Sequence, residues 1–224
     1  QVENVLASVA ACWGVGMPIS QIVIGLESFG AHMEKVPGRF NLLDVHGATV
    51  VADYGHNSSS LLAIIEALGQ FPHGHRTVVY SAAGDRRDID MIRQGEILAD
   101  HFDRVILYED QYLRGRKPGE ISSIFKRGMD SGKRVKEVYD FIGWEKAVEH
   151  ALTLIKAGDL MLLQADTIDE TVQYLQRAIE HNQLGREIDL TSALENNPAM
   201  PNAPQSNEPS PAIGNKPATN KSAT

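Results

Sequence analysis

Apolar side chains in this chain first recur at helical spacing and then gather into short runs. Val2, Val5, Leu6 and Val9, and later Ile19, Ile22, Val23 and Leu26, stand three or four residues apart, which predicts two short amphipathic helices over residues 2–12 and 18–29. Proline at 18 suits a helix start, where its missing N–H has no partner to lose. Helices this short have little to pack against alone, so residues 1–36 are expected to be the end of a preceding domain. From Arg39 the pattern changes. Residues 40–45 and 48–52 are apolar or β-branched runs around His46-Gly47, which reads as a hairpin with a two-residue turn. The chain then alternates: helix 59–68, strand 77–81, helix 89–101, strand 105–108, helix 119–129, strand 134–138, helix 144–156, strand 160–164 and helix 170–179. Strands separated by single helices imply right-handed crossovers. The expected fold is α/β: a Rossmann-like, mostly parallel sheet with an antiparallel edge hairpin and helices on both faces, over residues 37–182. Near-continuous apolar strands such as VILY and MLLQ fit a sheet covered on both sides.

Composition limits what such a fold can do. Of 224 residues, 21 are Lys or Arg and 29 Asp or Glu, a formal charge of −8 with a pI near 5.5. An acidic body does not suit a nucleic acid, whose phosphates need a basic face. No apolar run approaches the roughly 20 residues of a membrane span. The single cysteine, Cys12, cannot close an internal disulfide, which fits a reducing compartment, the cytoplasm. Residues 195–224 hold six of the ten prolines and no aromatic side chain, so 183–224 is expected to be a disordered Pro/Asn/Ser-rich tail. The chain opens on Gln1 inside an apolar-periodic segment, which suggests a piece of a longer protein.

Ligands of open parallel sheets collect at the carboxyl ends of the strands, and three loops there carry chemistry. The first, Asp53-Tyr54-Gly55-His56-Asn57-Ser58-Ser59, offers a carboxylate, an imidazole and a helix start; plain helix capping explains the same spacing. The second, Ala82-Ala83-Gly84-Asp85-Arg86-Arg87-Asp88, combines small residues with charges of both signs; pairing among its own Asp and Arg residues is the simpler account. The third runs from Glu109 and Asp110 through Arg114, Gly115 and Arg116 to Gly119 and Glu120. Together they describe a pocket for a ligand bearing both charges, such as an amino acid. His73, His75, His101 and His150 lack the spacing of a metal site, and no metal ligand is assigned. No Gly-x-Gly-x-x-Gly follows a strand, no nucleophile elbow is present, and the phosphate loop Gly-x-x-x-x-Gly-Lys-Ser/Thr is absent.

These motifs carry a resemblance. Pro37-Gly38-Arg39-Phe40-Asn41 followed by Asp53-Tyr54-Gly55-His56-Asn57 resembles the hallmark that opens the C-terminal lobe of Mur-type peptide ligases. Gly84-Asp85-Arg86-Arg87-Asp88, Glu109-Asp110 and Arg114-Gly115-Arg116 resemble its cyanophycin synthetase branch. The likeness covers roughly residues 1–180, and Ser58 departs from it where proline is usual. The resemblance implies an ATP- and Mg²⁺-dependent amide ligase: a carboxylate is phosphorylated by ATP, and an amine then displaces phosphate. For that branch it implies joining arginine to the side-chain carboxylates of a poly-aspartate (cyanophycin) primer, with upstream domains of the same enzyme and a homo-oligomeric assembly. Arg39 would reach the nucleotide phosphates, Asp53 would meet the ribose or orient Arg39, and His56 and Asn57 would line the nucleoside. Asp85, Arg86, Asp88, Glu109, Asp110, Arg114, Arg116 and Glu120 are candidate readers of the amino acid. The chain by itself is expected to be inactive, because it lacks the phosphate loop. Two alternatives stand: another Mur-type ligase of peptidoglycan or folylpolyglutamate type, against which Arg114-Gly115-Arg116 in place of Asp-Asn-Pro-Arg argues, and a non-catalytic Rossmann-like binding module.

Overall fold

His46 and Gly47 both adopt positive φ, 53° and 85°, the backbone of a type I′ turn, whose twist matches that of the strands it joins. Asp44 Oδ1 accepts from Gly47 N at 2.8 Å and fixes the turn. It links β1 (Asn41–Val45) to β2 (Ala48–Asp53) in antiparallel register, Val45 opposite Ala48. The computed structural model describes residues 2–29, 35–164, 170, 171, 173–175 and 177, and the backbone of 186–188. After β2 come α3 (Ser58–Leu68), β3 (Arg76–Tyr80), α4 (Asp88–His101), β4 (Arg104–Glu109), α5 (Glu120–Met129), β5 (Glu137–Ile142), α6 (Trp144–Leu154), β6 (Leu160–Gln164) and β7 (Arg186–Ile188). The seven strands lie in the order β5-β4-β3-β6-β2-β1-β7. All pairs from β5 to β2 are parallel, and β1 runs antiparallel to both of its neighbours.

The two-residue alternation of the strands sorts their side chains into two cores. Leu42, Val51, Val78, Tyr80, Val105, Leu107, Leu160 and Leu162 meet α3, α4 and α5 on one face. Leu43, Val50, Ala52, Val79, Ile106, Tyr108, Met161 and Leu163 meet α6 and Leu175 on the other. Helices thus cover both faces, as the continuous apolar strands require.

Two expectations are corrected. β5 begins at Glu137, three residues later than expected, because the amides of Arg134 and Val135 bond Ala99 O near the C-terminal end of α4 instead of a neighbouring strand. The hairpin does not form the sheet edge: β7 pairs with β1, Leu42 opposite Ile188. Residues 186–188, within the stretch assigned to a tail, are therefore part of the sheet. Residues 189–224 lie outside the described residues, as does part of the predicted helix 170–179, in which residues 170, 171, 173–175 and 177 are helical.

In α1 (Val2–Gly14) no side chain is buried, and in α2 (Ile19–Glu27) only Ile22 is. Leu6, Trp13, Ile19 and Ile24 are more than half exposed. No helix of the described residues is long and apolar enough to cross a membrane.

Candidate functional site

The connection leaving β3 lies on the α4 face, whereas that leaving β6 carries Leu175 to the opposite face. A crevice therefore opens where these neighbouring strands end. The three chemical loops stand along that rim.

At one end is the corner holding Arg39. Asn41, fully buried, accepts from Gly38 N at 2.7 Å and Arg39 N at 3.3 Å and donates to Val36 O at 3.1 Å. Asp53, at the end of β2, accepts from Phe40 N at 2.9 Å and Gly55 N at 2.6 Å. Two side chains from neighbouring strands thus grip a five-residue turn in which Phe40 has φ 52°. Arg39 itself is exposed, its guanidinium 5.8 Å from the centre of the Tyr54 ring, which lies 4.8 Å from the ring of His56. Burial raises the pKa of Asp53, opposed by the amides of Gly55 and Phe40 and by the charge of Arg39. Asp53 orients the Arg39 turn through the backbone. Replacing it with alanine would leave two largely buried N–H groups without acceptors, and the lobe is expected to lose about 1–3 kcal/mol, measured by urea unfolding; an unmoved midpoint would show that the turn holds itself.

Asn57 caps α3. Its Oδ1 accepts from Ser60 N and Ser59 Oγ, both at 2.9 Å, and Ser60 Oγ answers with a bond from Asn57 N, completing a capping box. His56 lends its carbonyl to Gln94 Nε2 at 3.4 Å.

The second and third loops are stitched together. Arg116 Nε donates to Gly84 O (2.9 Å), Nη2 to Arg86 O (2.9 Å) and Asp88 Oδ1 (2.7 Å), and Nη1 to Glu120 Oε1 (2.8 Å). Arg127 also reaches Asp88, at 3.1 Å, and Arg114 pairs with Asp85 at 3.0 Å. The hydrogen bond from Arg116 holds the Asp88 carboxyl below its ordinary pKa, and Glu120 is held low by Lys117 N and then Arg116. Glu109 is 1% exposed and accepts from Gly119 N at 2.6 Å and Ser122 N at 3.0 Å, closing the N-terminus of α5. Of the eight candidate amino-acid readers, then, Asp85, Asp88, Arg114, Arg116 and Glu120 pair with one another along the two loops, and Glu109 closes the start of α5.

Asp110 and Arg114 also line a cleft of about 750 Å³, together with Tyr54, Ser81, Ala82 and Ala83. Trp144, Glu145 and Lys146 from the corner after β5, and Glu170, line it as well. Trp144 is 9% exposed and meets Tyr174 edge-on at 5.4 Å. Carboxylates, cations and aromatic faces around one opening suit a small zwitterionic ligand.

Comparison with known proteins identifies the family. Residues 38–167 match the model of the Mur ligase glutamate ligase domain. The chain belongs to the Mur ligase family. Within it, the chain is 26% identical over 196 residues to the cyanophycin synthetase of Trichormus variabilis, covering 87% of this chain and 22% of that protein. It is 30% identical over 179 residues to the cyanophycin synthetase of Crocosphaera subtropica, covering 79% of this chain and 20% of that one. It therefore spans about a fifth of the length of these relatives. The fold is that of solved Mur ligases: the murein peptide ligase Mpl of Psychrobacter arcticus superposes with a TM-score of 0.57 at 18% identity, over 80% of this chain and 36% of that one.

Two parts of this Mur ligase lobe escape the sequence reading. The β5–α6 corner reaches the cleft through Trp144, Glu145 and Lys146, which the three-loop reading leaves out, although Trp144 also packs in the core, as its place at a helix start suggests. Asn41 has a signal, a polar residue opening an apolar strand, which is unfavourable to bury unless hydrogen-bonded.

Proposed function

We propose that this chain is the C-terminal lobe of an ATP-dependent ligase that joins arginine to the side-chain carboxylates of a poly-aspartate primer. The observation that carries the reading is the placement of the braced Arg39 and the zwitterion-suited cleft on one rim, in a chain similar to cyanophycin synthetases. In the reaction, the carboxylate oxygen of an aspartate side chain takes the terminal phosphoryl group of ATP, releasing ADP. The α-amine of arginine then attacks the acyl carbon, and phosphate leaves as the amide forms and the amine loses a proton. Arg39, exposed and planar, offsets charge on the moving phosphoryl group. Asp53 holds the turn that aims it. His56 and Tyr54 offer ring faces beside it for the nucleoside. Asp110 and Arg114 face the incoming amino acid with opposite charges.

Mg²⁺ accompanies the nucleotide in this proposal. Among the described residues no three His, Cys, Asp or Glu side chains stand close enough to hold a metal, so no step is assigned to an ion bound by this lobe.

The test uses the complete enzyme with ATP, Mg²⁺, arginine and poly-aspartate. Phosphate release and arginine incorporation are expected only when all four are present, and the isolated 224-residue chain is expected to give neither. Phosphate release that ignores poly-aspartate but requires a UDP-linked peptide acceptor would assign the enzyme to cell-wall chemistry instead.

A further inference from the structure

By its place in the third loop, Arg116 is a candidate reader of the amino acid. Its geometry points elsewhere. A guanidinium has five N–H donors, and four of the hydrogen bonds they make here are internal: to Gly84 O, Arg86 O, Asp88 and Glu120, at 2.7–2.9 Å. The side chain is only 18% exposed. Three of the four acceptors lie on the second rim loop and the fourth on the first residue of α5, so this one side chain spans the gap between the loops. Gly84 makes the gap narrow, since a Cβ there would collide with the carbonyl oxygen of Leu113. Beyond the stitch, both loops lead to the cleft, the second through Ala82 and Ala83 and the third through Asp110 and Arg114. The turn between Leu113 and Arg116 runs through left-handed backbone at Arg114 (φ 47°) and Gly115 (φ 91°). Arg114 is not a residue that adopts such a conformation readily, so the turn needs something to hold it.

We propose that Arg116 is a positioning residue: its guanidinium sets the separation of the two rim loops, and through them the width of the cleft and the placement of Asp110 and Arg114, without touching substrate. This rests on the ligase reading above and deepens it. Lysine cannot replace the guanidinium, because an ammonium lacks the planar fork that serves acceptors on two loops at once.

The discriminating experiment compares arginine with agmatine, its decarboxylated form, in the complete enzyme. In Arg116→Ala the KM for arginine and the inhibition constant of agmatine are both expected to rise, by about tenfold or more, while the KM for ATP stays within about twofold, as expected for a group that acts on the amino-acid side of the site. Arg116→Lys should behave like Arg116→Ala, and millimolar methylguanidinium should restore the alanine variant but not the lysine one. A rise for arginine with none for agmatine would mean that Arg116 grips the substrate carboxylate directly; no rise for either would remove the role altogether. Either result overturns the proposal. Failure of the ligase reading shows separately, as a wild-type enzyme that does not use arginine. In that event the same pair of measurements is made with the amino acid that it does use and the corresponding amine. If it joins none, the melting temperature decides: a lowered value in Arg116→Ala that methylguanidinium does not raise again refutes the strut.

Discussion

Replacing Arg39 with alanine is expected to reduce turnover of the complete enzyme by about two to three orders of magnitude, the usual cost of deleting one preorganised charge that meets developing negative charge. The melting temperature should barely move. The side chain is exposed, and its one described contact is the face of Tyr54 at 5.8 Å, worth about 0.5–1 kcal/mol at an exposed site. The turn that carries it is held instead by Asn41 and Asp53 acting on the backbone of residues 38–40, and none of those bonds needs the guanidinium. Lysine should recover part of the loss, since charge remains but the bidentate fork does not. The measurement is phosphate release at saturating substrates beside a thermal melt of the same samples. Full activity in Arg39→Ala would take the phosphate-facing role away from this corner, and a matched fall in melting temperature would make it a scaffold residue.

The largest expected loss of stability is at the crossing of α4 and α5. Gly95 and Gly128 face each other there, and a methyl group on Gly95 would run into Phe125 O and come within 3.3 Å of the Gly128 Cα. A methyl on Gly128 would run into Ile92 O and lie 3.0 Å from Glu96 N. These neighbours are backbone atoms of packed helices and cannot turn aside, so each change to alanine must push the helices apart. Gly128→Ala is expected to cost about 3 kcal/mol or more, at the upper end of what overpacking produces. The double variant should lose less than the two singles together, since the first methyl makes room for the second. Gly25 in α2 is the control: nothing lies within 4 Å of its missing Cβ, and alanine there should stabilise by up to about 1 kcal/mol through helix propensity. Chemical unfolding curves of the variants check this, and the close crossing is refuted if Gly128→Ala proves as benign as Gly25→Ala.

Much of this architecture is legible in the sequence because burial on both faces leaves runs such as Val-Ile-Leu-Tyr that only a covered strand tolerates, with helical spacing between them. The His46-Gly47 turn is legible because few pairs accept two positive φ values. β7 is not: three residues pairing at an edge leave no periodicity to count. The start of β5 is misplaced because Val135 packs on the core from a bend, and packing alone does not distinguish a bend from a strand. The rim charges are legible as charges but not as pairs. Arg116 finds Asp88 and Gly84 at separations of 28 and 32 residues, and spacing says nothing about which acid a guanidinium will meet once the strands align. Glu109 shows the same limit, a carboxylate that looks like a ligand contact and closes a helix end instead. The two helical glycines do leave a trace, since glycine inside a helix is unfavourable unless packing requires it.

The strand order also bears on how the polypeptide is made. β6 lies between β2 and β3, yet it emerges from the ribosome after both, with two further strands and three helices translated between β3 and it. Until residue 164 is clear of the exit tunnel, β2 and β3 have no shared neighbour and present open edges rich in valine. Translation that stalls before that point leaves a nascent species ready to pair with its neighbours on the same message, so for this lobe the passage of its sixth strand separates a folding product from an aggregating one.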